Sequence, residues 1–67
     1  MNRYDTGDVV RLMSGGPWMT VRQTETEREL VRCNWIHDGV AREAVFHERQ
    51  LYKASAATAA RARGVRP

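Results

Sequence analysis

The sequence predicts a small, mainly β domain of four or five antiparallel strands followed by a basic, disordered C-terminal tail. Three observations carry this expectation. Apolar and polar residues alternate through residues 19–24 and 29–36, and β-branched residues follow Gly7-Asp8, where a strand turns successive side chains to opposite faces. Two breaks, Ser14-Gly15-Gly16-Pro17 and Asp38-Gly39, supply the positive-φ and fixed-φ positions that tight turns need. Beyond Tyr52 the composition shifts to alanine and arginine, with Val65 the one larger aliphatic residue.

Each element follows in order. Residues 1–6 are polar apart from Tyr4, which is placed to cover one end of the core. Gly7-Asp8 opens a first strand in which Val10 and Leu12 point inward while Val9 and Arg11 point outward. Asp8 beside Gly7 is placed to accept backbone N–H groups and fix the turn. After the Gly-Gly-Pro corner comes Trp18, then a second strand with Met19 and Val21 buried. The charged run Thr24-Glu25-Thr26-Glu27-Arg28 is a solvated connection. In the third strand Val31, Cys33 and Trp35 share the buried face.

Asp38-Gly39 marks a hairpin, and the fourth strand runs over residues 41–46 with Phe46 inward. Residues 47–52 fit one helical turn that sets Leu51 against the open end of the sheet. The tail lacks the apolar surface to offset its ordering entropy, so fleeting helix around residues 56–62 is the most it supports. The domain is expected over residues 1–52 and the flexible tail over residues 53–67. The expected core is Val10, Leu12, Met19, Val21, Val31, Cys33, Trp35, Phe46 and Leu51.

Size and charge narrow the function classes. A chain of 67 residues supports one domain with a thin core. Its single cysteine, Cys33, leaves no intramolecular disulfide and no multi-cysteine zinc framework. No apolar run is long enough for a membrane span, and the first residues lack the apolar segment of a signal peptide. A reducing cytoplasm is the expected compartment. The formal charge of +3 sits in the tail: Lys53, Arg61, Arg63 and Arg66 have no acidic neighbour, while residues 1–52 carry seven basic and eight acidic groups.

The residues Gly7-Asp8-Val9-Val10-x-Leu12, Ser14-Gly15-Gly16-Pro17-x-Met19-Thr20-Val21, Val31-x-Cys33-x-Trp35, Phe46 and Leu51 resemble the YodC-like family of small bacterial proteins of unknown function over roughly residues 4–52. The Ser-Gly-Gly-Pro-x-Met-Thr-Val segment is its most specific part. This chain has Ile36 where an aromatic often follows the tryptophan in that family, and its tail lies outside the resemblance. The resemblance implies a compact fold similar to a small SH3-like barrel, and little chemistry.

Catalysis would require a nucleophile and a base, and only Cys33 with His37 or His47 qualifies by residue type. The same three, with Asp38, are also the candidate metal ligands. A mid-strand cysteine between Val31 and Trp35 behaves as a small buried hydrophobe, and neither Cys-x-x-Cys nor His-x-x-x-His spacing is present. Ser14-Gly15-Gly16 leads into a strand, whereas phosphate-binding loops lead into a helix N-terminus. The reading is therefore of a protein with no catalytic residues, cofactor, metal or small-molecule substrate.

A non-catalytic interaction module is the remaining expectation, in two versions. In the first, Arg11, Arg22 and Arg32, aligned with Arg42 as an outward stripe, join the tail residues Arg61 and Arg63 on nucleic-acid phosphates while aromatic rings stack bases. The competing account of the stripe is cross-strand pairing with Glu29 and Glu43 on a solvated face. In the second version Trp18 and Tyr52 anchor a protein partner, or a second copy joins through an exposed strand edge.

Overall fold

The computed structural model describes residues 3–58. Five strands form one antiparallel sheet: β1 (Val9–Leu12), β2 (Met19–Glu25), β3 (Leu30–His37), β4 (Val40–His47) and β5 (Leu51–Lys53), in the order β4-β3-β2-β1-β5. The mainly β expectation holds, but the sheet does not close into a barrel. Its two outermost strands, β4 and β5, lie at opposite edges and share no register. Closure would need ladder bonds between them, and β5 is only three residues long.

The turns follow from the residues that form them. Asp38 (φ 50°) and Gly39 (φ 75°) both lie in the left-handed region, the signature of the two-residue hairpin whose twist matches its strands. His37 therefore pairs with Val40, and the β3–β4 register runs unbroken to Leu30 opposite His47. Gly15 and Gly16 at φ 106° and 111° make the corner after β1, where the Gly15 N–H donates to the Leu12 carbonyl at 2.9 Å. In the solvated connection, Arg28 donates to both carboxylate oxygens of Glu25 at 2.6 and 2.7 Å.

The segment expected as one helical turn divides in two. Residues Glu48–Gln50 form a 3-10 turn capped by His47, whose Nδ1 accepts the Arg49 N–H at 3.2 Å while Gln50 Oε1 accepts the His47 N–H at 2.9 Å. Leu51 then starts β5, which pairs with β1 through Leu12 opposite Leu51 and Arg11 opposite Tyr52. A three-residue strand adjacent to a turn carries too little periodicity to be legible in advance. Beyond it, Ala54 is buried and its N–H donates to Val9 at 2.8 Å. Residues 56–58 are helical, with the Thr58 N–H donating to Ser55 Oγ at 3.2 Å. The remainder of the tail lies outside the described residues. Among those described, no helix is long and apolar enough to cross a membrane.

One face of the sheet holds the core: Tyr4, Val10, Met19, Val21, Val31, Cys33 and Leu51, with Leu12, Trp35 and Phe46 packed against it half-buried. The expected core residues thus share a side, but Trp35 sits at its margin because its cross-strand neighbour is Arg42, not another apolar side chain. Tyr4 is fully in the core, its hydroxyl donating to the Leu51 carbonyl at 2.8 Å. Val9, on the opposite side of β1 from Val10, is nevertheless 1% exposed.

Glu48 is the buried charged residue of the described chain, and its carboxylate accepts the Arg3 N–H at 3.0 Å. That bond, opposed by burial and reinforced by Glu29, Arg3 and His47, holds the carboxyl below its usual range. A depressed carboxyl adds stability above its unfolded value, and that stability is lost as pH falls through the folded one. The urea midpoint is expected to drop as pH goes below about 4, and Glu48→Gln to flatten that drop. An unchanged acid limb in the variant would assign the drop to other carboxylates.

Candidate binding site

The outer face of the sheet, away from the core, carries a group of cationic and aromatic side chains that the fold assembles from distant parts of the chain. Val10 stands opposite Met19 in the β1–β2 register, so the next residues, Arg11 and Trp18, meet across it on the outer side. On its other flank Arg11 faces Tyr52. The Gly-Gly-Pro corner delivers Trp18 to this row, since proline holds φ near −65° just before it.

The guanidinium carbon of Arg11 lies 5.3 Å from the Trp18 ring centroid and 6.0 Å from that of Tyr52. The two rings meet edge to face, 5.6 Å apart at 74°. Cation–π contacts of this kind contribute about 0.5–1 kcal/mol each at exposed sites, enough to orient the arginine. Its Nε is enclosed and has no hydrogen-bond partner, and no carboxylate pairs with Arg11 among the described residues. The site therefore holds a positioned cation with hydrogen-bonding capacity left unused.

Beside this row lies an open groove of about 280 Å³ lined by Val9, Trp18, Thr20, Asn34, Ile36 and Ala41, with Met19 and Trp35 contributing at its floor. Ile36, where the resemblance leads one to expect an aromatic, is 69% exposed and forms an apolar lip. Thr20 and Asn34 face each other across the sheet and supply polar atoms in the middle.

The other arginines do not join this group. Arg22 occupies the irregularity between Val21 and Gln23 in the β2–β3 register, so it stands outside the regular alternation. Arg32 bonds Glu43 at 3.1 Å, an exposed pair of the kind worth little energetically. Arg42, opposite Trp35, is on the core side, so no continuous outward stripe links Arg11, Arg22, Arg32 and Arg42. Arg61 and Arg63 lie outside the described residues.

Cys33 is fully buried. His37 lies 3.4 Å from Asp38, and His47 lies 3.9 Å from Glu29. Among the described residues no three His, Cys, Asp or Glu side chains converge to hold a metal ion. Asp8 accepts the Asp5 N–H at 2.9 Å and approaches Lys53 at 3.5 Å, a turn-fixing arrangement.

Sequence reasoning singled out Arg11, Trp18 and Tyr52 separately, the first for phosphates and the others for a protein. Their union, and the part of Val9 and Ile36 in the groove, depended on the register across three strands. The residue types at these positions carried no signal of it; the pairing of Val10 with Met19 centres the corner between Ser14 and Gly15, which is what sets Arg11 and Trp18 equally far from it.

No curated protein and no solved structure matches this chain. A sequence model of the uncharacterised small-protein family DUF2158 matches residues 5–51, the stretch that runs from the N-terminal lead of β1 to the start of β5, and the chain belongs to that family.

Proposed function

We propose that this domain is a non-catalytic interaction module that takes an extended protein segment across the Trp18–Arg11–Tyr52 row, with a carboxylate on Arg11 and a neighbouring apolar side chain in the groove. The observation that carries the reading is the arginine held between two rings, with no acidic partner among the described residues, at the rim of a groove with an apolar lip. An oriented guanidinium loses little freedom on meeting a carboxylate, and planar two-point pairing suits it. Aromatic and arginine anchors dominate the energetics of protein contacts.

A nucleic-acid ligand would draw on the same guanidinium and rings. The described residues 3–58, however, carry eight basic and eight acidic side chains, which gives no field to gather a polyanion. The meander whose last strand returns to β1 supports an SH3-like assignment. The Gly7–Val21 residues support a YodC-like one, and the unpaired cysteine supports a cytoplasmic location.

The test is an amide NMR titration with a short peptide of alternating leucine and aspartate, beside mixed-sequence DNA and RNA oligonucleotides, at low and moderate salt. The peptide is expected to shift Arg11, Trp18, Ile36 and Tyr52. Trp18→Ala is expected to weaken it about 30-fold, as for an aromatic anchor worth ~2 kcal/mol, with the fold retained by circular dichroism. Shifts of those amides by oligonucleotides alone, falling steeply with salt, would transfer the site to nucleic acid. No shifts with any probe would overturn it as a binding site for either.

A further inference from the structure

The free edge of β4 is a second surface, independent of the Trp18–Arg11–Tyr52 row. β4 is eight residues long and ends the sheet. The two-residue hairpin makes His37 and Val40 a hydrogen-bonded pair, and alternation then turns the peptide groups of even-numbered residues toward β3 and those of odd-numbered residues outward. The bond from Glu48 N–H to the Glu29 carbonyl at 2.9 Å continues that pattern. The N–H groups of Ala41, Glu43 and Val45 thus point away from the sheet, while that of His47 is held by Gln50 Oε1.

Exposed edges are ordinarily guarded by proline, lysine, bulges or brevity. β4 has no proline or lysine, its register is unbroken, and its one acidic residue is already held by Arg32. Its one core-side charge, Arg42, is the single guard of the kind that edges carry, and the pairing below sets it on a phenyl ring. Val45 is 48% exposed beside it. The opposite edge, β5, is guarded by its shortness.

We propose that β4 pairs antiparallel with β4 of a second copy about a two-fold axis at Ala44, forming a ten-stranded sheet. The register follows from face and charge. When a sheet continues across a two-fold axis normal to it, facing residues lie on the same side, so the axis must pass through a residue position. Axes at Glu43 and Ala44 give the longest overlaps of residues 40–47. The first sets two glutamates against each other, which is destabilising. The second sets Ala44 on Ala44, Glu43 on the second copy's Val45, and Arg42 on the second copy's half-buried Phe46, with no like charges opposed. An arginine over a phenyl ring is itself attractive.

Cross-linking and sedimentation test this in the full chain. In a Cys33→Ala background, which removes the thiol facing position 44, Ala44→Cys is expected to form a disulfide-linked dimer under mild oxidation. Facing non-hydrogen-bonded residues have Cα atoms about 4.5 Å apart, inside the disulfide range. Ala41→Cys in the same background is the control, its thiols being displaced by about 20 Å along the strands. Sedimentation of the wild type at about 200 μM, ample for a micromolar dimer, is expected to show a dimer. Val45→Pro, which deletes an outward N–H and no β3 bond, is expected to shift it to monomer with its strand signal intact. A monomeric wild type, cross-linking at position 41 as fast as at 44, or a dimer that survives Val45→Pro would each overturn the proposal.

Discussion

Replacing Leu51 with alanine is expected to unfold the domain at room temperature. Leu51 is 1% exposed, sits opposite Leu12 in the β1–β5 register, and presents its carbonyl to the buried Tyr4 hydroxyl. Truncating a buried leucine costs about 2–5 kcal/mol, and a single core in a domain of this size rarely supplies more than ~3–5 kcal/mol. The loss is thus comparable with the whole margin. Because β5 has only three residues, loosening Leu51 also releases the strand that closes the core over β1. Circular dichroism melting checks this, with Tyr52→Ala as the control. Tyr52, one residue on and on the outer face, is expected to cost about 1 kcal/mol or less. Equal losses at the two positions would contradict the alternation on which the site rests.

The second large effect concerns Cys33. Burial pushes its thiol up to about 11, and the side chain is inaccessible between Val21 and Ala44 in the ladder. Since only the thiolate reacts, a rise of about two pKa units above an ordinary thiol lowers the reactive fraction near neutral pH about 100-fold, before access is considered. Iodoacetamide is therefore expected to label native Cys33 at least that much more slowly than the unfolded chain. The same shift has a thermodynamic sign. The unfolded thiol ionises first, so Cys33 contributes stability below about 9, and that stability is lost as pH rises toward about 11. Labelling at similar rates in native and denatured protein would place the thiol at the surface.

Local periodicity was a sound guide wherever one strand sufficed. Val10, Met19, Val21, Val31 and Cys33 were assigned to the core side from alternation alone, and Asp38-Gly39 to a hairpin, because both are set by side-chain geometry within a few residues. Glu48 gave no such signal. A glutamate between a histidine and an arginine reads as solvated, and its burial depends on Arg3, 45 residues away in sequence.

The outer face was harder still. Arg11, Trp18 and Tyr52 each look like exposed residues of different strands. Only the pairing of β1 with both β2 and β5 brings them together, and it is the β3–β4 register that puts Arg42 on the opposite face from Arg32. The barrel expectation failed for a related reason: alternation reports which side of a strand is buried but not whether the first and last strands of a sheet meet.

By itself, then, the sequence determined the first four strands, the turns at Gly15-Gly16 and Asp38-Gly39 and the side that faces the core, because period-two patterning and glycine conformational freedom act locally. Tertiary structure alone decided the open sheet, the free β4 edge and the aromatic row around Arg11. Those depend on registers between segments up to about 40 residues apart, set by the shared burial of Leu12, Leu51 and Tyr4 rather than by any local run of residues.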